Sequence, residues 1–224
     1  MVQSSVSKIV VIFYNIAQLL GWTLILLKVI LNLSKNNYAV LTDPQLLHAL
    51  ELVQTFQYLD LVFSILGLSQ TKVVPSFIHV TTRTCVVWIT FPYAINSPYP
   101  SLAIIPWALG DIIRFGNYLN DGLGLGLDFV KILRYNAFLV LYPLGLTGEF
   151  TSAGDAKTFL ESEKINPKIN LFGMEFPLSA IAFFTVFRII AYPGLAYMYW
   201  HMLKLRSRFY KKRKEGEGKK VKTT

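Results

Sequence analysis

RYNAFLVLYPLGLTGE, residues 134–149, is apolar enough to lie inside a membrane yet carries Arg134, Tyr142 and Glu149. Ionisable side chains in hydrocarbon are costly, about 2.5–3.5 kcal/mol each at a helix centre on insertion scales. They persist only where they face other protein or a polar cavity, so they mark a functional site by default. Tyr142 and Glu149 stand about two helical turns apart around Pro143 and Gly145. A buried phenol and a buried carboxylate are also the groups needed to move protons on and off a small substrate. The segment therefore points to a bundle of membrane helices with chemistry in its interior.

The rest of the chain fits that reading. It is 53% apolar with mean hydropathy +0.44 and 16% charged, against about 25% charged in soluble domains. Apolar runs near the roughly 20 residues needed to cross a bilayer recur along it. The fold class expected is all-α, a polytopic membrane helix bundle with six transmembrane helices. These spans run approximately over 9–33, 46–68, 77–95, 102–119, 128–147 and 177–203. The first is too long for the apolar core of a signal peptide and reads as a retained helix. Turn-rich breaks separate the first five spans: NLSKNN, SQTKVVPS, NSPYPS and NDGLGLG. The last connection, 150–176, mixes charges with Leu171, Phe172, Met174 and Phe176, as a segment lying at the interface would. No repeat of about 20–50 residues is evident, which argues against an inverted-repeat transporter.

The net charge of +9 is concentrated at the end, with ten Lys and Arg from residue 204 onward. Residues 1–203 read as the catalytic membrane domain and 204–224 as a basic tail. Juxtamembrane basic clusters mark the cytosolic side, and an even number of spans puts both termini there. A nucleic-acid role for the tail needs a soluble domain that the chain lacks. Cys85 is alone, so no disulfide framework or thiolate metal site is expected, and three histidines in three segments do not suggest a metal. The last five residues, KVKTT, resemble the dilysine retrieval signal of endoplasmic-reticulum membrane proteins, with Lys220 and Lys222 as its lysines.

The second span carries His48, Glu51, Gln54, Gln57 and Asp60 at every third residue. On an ideal helix this row drifts about 60° per step, so it winds around one side and should line the bundle interior. Asp111 and Arg114 are three apart and can neutralise one another. His79 and Arg83, four apart, share a face, as a hydrogen-bonded core histidine would. Arg134 has no carboxylate three or four positions away and, with Lys131, makes a basic step where an anionic ligand can dock. An ideal helix sets Tyr142 and Glu149 about 10 Å apart along its axis. Pro143, Gly145 and Gly148 suggest a bend that brings them closer. By themselves the two residues also fit an interfacial tyrosine and a glutamate just beyond a helix end. No G-x-S-x-G elbow, H-E-x-x-H helix or P-loop occurs.

From about residue 50 to 214 the chain resembles the very-long-chain 3-hydroxyacyl-CoA dehydratases, also called protein-tyrosine-phosphatase-like membrane proteins. The most specific block is LRYNAFLVLYPLGLTGE at 133–149, which is similar to the family's signature and contains its catalytic Tyr and Glu, here Tyr142 and Glu149. Further blocks are Asp60 to Arg83, WALGDIIRF from Trp107, and YPGLAYMYWHML at 192–203. Asp60 and Asp111 stand where the family usually has Glu, and His79 where it has Gln.

The resemblance implies dehydration of very-long-chain 3-hydroxyacyl-CoA to trans-2-enoyl-CoA, the third step of fatty-acid elongation, by a hydro-lyase of the endoplasmic reticulum. It implies no metal or redox cofactor, CoA being part of the substrate. Expected partners are membrane lipid and the other enzymes of the cycle: ketoacyl-CoA synthase, ketoacyl-CoA reductase and enoyl-CoA reductase. Tyr142 and Glu149 are the expected acid–base pair, in either order. Arg83, Arg134, Lys131 and Gly145 are expected to meet substrate, with Asp60, Asp111 and Arg114 supporting them. A non-catalytic scaffold of the same fold is the alternative, and a small-solute transporter a third reading.

Overall fold

Helices account for nearly all of the computed structural model, which describes residues 5–69, 71–165, 168–171, 174–177 and 180–221, with side chains for 7–69, 71–165 and 193–215. The order is α1 (Ser5–Ser34), α2 (Pro44–Phe56), α3 (Tyr58–Ile65), α4 (Val73–Cys85), α5 (Pro100–Leu123), α6 (Asp128–Ser162) and α7 (Ala180–Val221). An antiparallel hairpin, β1 (Lys168–Leu171) and β2 (Met174–Pro177), precedes α7. The fold is thus an all-α bundle carrying one small hairpin. Helix α5 is central and packs along both α1 and α6. Trp22, Ile25, Leu46, Leu50, Phe91, Ile104 and Phe115 fill the core between α1, α2 and α5. Outside, α1 leaves Phe13, Leu20, Leu24 and Leu31 more than half exposed. Among the described residues, Ser7–Ser34 and Asp128–Ser162 are long and apolar enough to cross a membrane.

The second expected span is two helices, broken at Gln57. There the backbone tightens: Gln57 N–H reaches the Gln54 carbonyl at 3.2 Å and Asp60 N–H the Gln57 carbonyl at 2.9 Å. In such 3₁₀-type turns, residues three apart eclipse instead of drifting. Gln54, Gln57 and Asp60 are therefore all buried on one line. His48 breaks the expectation. It lies on the exposed face of α2, paired with Glu51 at 3.1 Å, so the polar row lines the interior only from Gln54 on.

The winding also changes after α4, through a π-helical turn (Val86–Thr90) and a 3₁₀ turn (Phe91–Tyr93). Phe91 ends up stacked on Trp107 of α5, ring centroids 5.7 Å apart.

Helix α6 is continuous through Pro143 and carries both Tyr142 and Glu149. It corrects one expectation by continuing to Ser162, into the stretch 150–176 expected to connect the last two spans. Ala153, Ala156 and Leu160, at helical spacing, bury against Ala94 and extend the helix. Gly145 and Gly148 sit where α5 approaches closely. Gly148 presses on the backbone of Leu102 and Ala103, where a Cβ would overlap main-chain atoms that cannot turn aside. Gly148→Ala adds about 1 kcal/mol of helix propensity but forces α5 from α6, an overpacking cost of about 1–3 kcal/mol. A lowered midpoint of thermal unfolding in detergent is expected, and a raised one would contradict this packing.

Candidate active site

A cleft of about 430 Å³, its mouth included, opens among α4, α5, α6 and α7. His79, Arg83, Trp107, Tyr142 and Glu149 supply most of its polar and aromatic lining, and Ile78, Gly145, Leu195 and Met198 part of the apolar remainder. Tyr142 and Glu149 lie seven residues apart on α6 and face it together because seven residues is close to two full turns. Their hydrogen bonds assign opposite roles. The Tyr142 hydroxyl is 2.7 Å from the Leu195 carbonyl of α7, which can only accept, so the phenol donates. Glu149 Oε1 is 2.8 Å from the Trp107 indole N–H, which can only donate, so the carboxylate accepts. The Tyr142 ring also meets Tyr199, centroids 5.5 Å apart.

Behind the cleft lies a buried polar network. The Arg83 guanidinium sits between two indoles, its Cζ 4.7 Å from the Trp22 ring and 4.4 Å from the Trp107 ring. Its Nη1 is ion-paired with Asp111 Oδ2 and lies 3.2 Å from His79 Nε2. Asp111 also accepts from Gln57 Nε2 at 3.0 Å and pairs with Arg114 at 3.1 Å. Arg114 in turn reaches Asp60 at 3.1 Å. Two acids and two arginines balance, which is the condition for charge to stay buried. The expected Asp111–Arg114 pair and the expected His79–Arg83 contact are both present. Nε and Nη2 of Arg83 have no hydrogen-bond partner among the described residues.

Of the residues expected to meet substrate, Arg83 and Gly145 line the cleft with the pair. Asp60, Asp111 and Arg114 stand behind it. Arg134 and Lys131 lie outside the cleft lining, about 12 and 16 Å along α6 from Tyr142. Arg134 packs its guanidinium 4.7 Å over the Tyr118 ring, and Lys131 pairs with Asp121 at 3.2 Å. The side chain of Lys220 lies outside the described residues, as does Lys222 altogether. Among the described residues, no group of three His, Cys, Asp or Glu side chains is placed to hold a metal.

Trp107 carries the site's main addition to the sequence reading. A signal for it was present: Trp107 is four residues before Asp111, hence on the same face of α5. Leu195 and Met198 belong to a quoted block but carry no chemistry that a sequence alone would single out.

A family model described as "Protein tyrosine phosphatase-like protein, PTPLA" matches residues 54–212. The chain is 32% identical over 210 residues to a very-long-chain (3R)-3-hydroxyacyl-CoA dehydratase of Caenorhabditis elegans, covering 85% of this chain and 89% of the relative. It is 26% identical over 219 residues to the dehydratase PASTICCINO 2 of Arabidopsis thaliana, covering 94% and 97%. To dehydratase 1 of Canis lupus familiaris it is 26% identical over 205 residues, covering 87% and 79%. No solved structure matches it. The family match runs through Asp60, Arg83, Asp111, Tyr142 and Glu149, the residues in and behind the cleft, and the chain belongs to the protein tyrosine phosphatase-like family, PTPLA.

Proposed function

We propose that this protein is a hydro-lyase that dehydrates very-long-chain 3-hydroxyacyl-CoA to trans-2-enoyl-CoA, the third step of fatty-acid elongation. The observation that carries the reading is a single cleft in which Tyr142 donates and Glu149 accepts. Glu149 takes a proton from C2 of the substrate as the C3–O bond breaks. Tyr142 exchanges the Leu195 carbonyl for the departing hydroxyl and supplies the proton that makes it water. The C2–H electrons become the C2–C3 double bond. Passage of the proton from Glu149 back to Tyr142 through solvent resets the pair. Arg83, whose Nε and Nη2 have no hydrogen-bond partner among the described residues, offers donors to the thioester oxygen as negative charge gathers there. The reaction is redox-neutral, and CoA enters only as part of the substrate.

The bundle crosses the endoplasmic-reticulum membrane six times in this reading, with both termini cytosolic. Two apolar helices and the outward apolar face of α1 support a membrane setting. Residues 1–203 form the catalytic domain. The basic tail from 204 prolongs α7 on the cytosolic side. The synthase and the two reductases of the cycle are its partners there.

CoA phosphates meet Arg134 and Lys131, with the pantetheine arm running along α6 to Tyr142. Arg134→Ala should then raise KM about 10–100-fold, the worth of a charged hydrogen bond, while lowering kcat much less. Lysine should rescue in part, since it keeps the charge without the planar fork.

Elimination is reversible, so the test of the reaction class is hydration. Purified protein given trans-2-enoyl-CoA in oxygen-18 water should place label in the C3 hydroxyl. Unlabelled, unconverted thioester would remove the reading.

A further inference from the structure

We propose that Trp107 is a positioning residue for this reaction, holding Glu149 in one orientation through its indole N–H and tying it to Arg83 through its ring. The inference rests on the dehydratase reading. Trp107 is 7% exposed, and a buried indole N–H needs an acceptor. The one it has is Glu149 Oε1, at 2.8 Å. That bond occupies one carboxylate oxygen and leaves Oε2 as the oxygen for the C2 proton. The indole is itself held by two neighbours. Phe91 stacks on it at 5.7 Å, and the Arg83 guanidinium lies 4.4 Å from its centroid.

Gly145 completes the arrangement. A Cβ there would stand in ordinary van der Waals contact, 3.4 Å from Trp107 Cδ1 and 3.5 Å from Nε1, so only a side chain larger than alanine would press on the edge that carries the N–H. The small residue at 145 thus leaves room for the bond between α5 and α6, besides lining the cleft. One side chain therefore sets the base oxygen and the cation at the reacting centre together. A free glutamate would sample several rotamers, and misplacement by about 1 Å can cost about 10²-fold in rate.

The test removes the N–H and keeps the shape. Benzothienylalanine, in which sulfur replaces the indole N–H, is incorporated at position 107 of the full chain. The variant should unfold within a few degrees of the wild-type temperature, since ring, stacking and packing survive and one hydrogen bond is lost. Its kcat on long-chain 3-hydroxyacyl-CoA should fall about 10–100-fold with KM little changed. In a Glu149→Gln background the same replacement should cost nothing further, which a merely structural tryptophan would not show. Wild-type kcat in the variant, beside an active wild type, would overturn the inference alone. An additional loss on top of Glu149→Gln would overturn it too. No turnover by the wild type would overturn the dehydratase reading and this inference with it.

Discussion

Tyr142→Phe and Glu149→Gln should each cut turnover by roughly 10²–10⁴, the usual worth of a positioned acid or base. Each changes one functional group and almost no volume. Tyr142→Phe gives up the bond to the Leu195 carbonyl, a net loss of about 1 kcal/mol that the bundle should survive. Glu149→Gln keeps an oxygen to accept from Trp107. If the two residues act in one elimination, the double variant should be little worse than either single, because groups working as a unit are non-additive. KM should move little, since neither residue is assigned to the CoA. The readout is enoyl-CoA formed per unit of folded protein. Near-normal turnover in both singles would mean that other residues carry the chemistry.

Asp111→Ala should be the most damaging single change to the fold. Asp111 is 2% exposed and takes Arg83, Arg114 and Gln57 at once. Removing it strands two guanidinium groups in the bundle with Asp60 as the remaining carboxylate of the network. Breaking a buried pair from one side costs about 3–5 kcal/mol, a large part of the roughly 5–15 kcal/mol that holds a typical protein folded. Loss of monodisperse protein in detergent, or a steep drop in unfolding temperature, is expected. Asp111→Glu keeps the charge and adds one methylene, for about 1–3 kcal/mol of overpacking. It should yield folded protein. Equal stability of the Ala variant and the wild type would mean that the network contributes nothing to the fold.

Spacing alone revealed part of this arrangement. Residues seven apart share a helix face whatever surrounds them, which is why Tyr142 and Glu149 were readable as a pair. The i, i+3 Asp111–Arg114 and i, i+4 His79–Arg83 contacts were readable for the same local reason. The break at Gln57 was not, because no proline or glycine marks it; tertiary demand for Gln54, Gln57 and Asp60 on one line overrides the ordinary helix. Gly148 makes a close contact with α5 that its sequence does not announce, since glycine's signature is the same for a contact and a bend. Trp107 needed the packing of α5 on α6: its N–H finds an acceptor 42 residues away. Arg134 has no carboxylate three or four positions away in sequence, and its seat over Tyr118 is likewise a contact between helices.

The central claim is that the cleft holding Tyr142 and Glu149 performs the elimination. The most direct measurement gives a long-chain (3R)-3-hydroxyacyl-CoA to purified wild type and to Glu149→Gln, matched for folded protein, and follows trans-2-enoyl-CoA. The account predicts steady product from the wild type and at least about a hundredfold less from the variant. Equal rates from the two, or no product from the wild type, would contradict it.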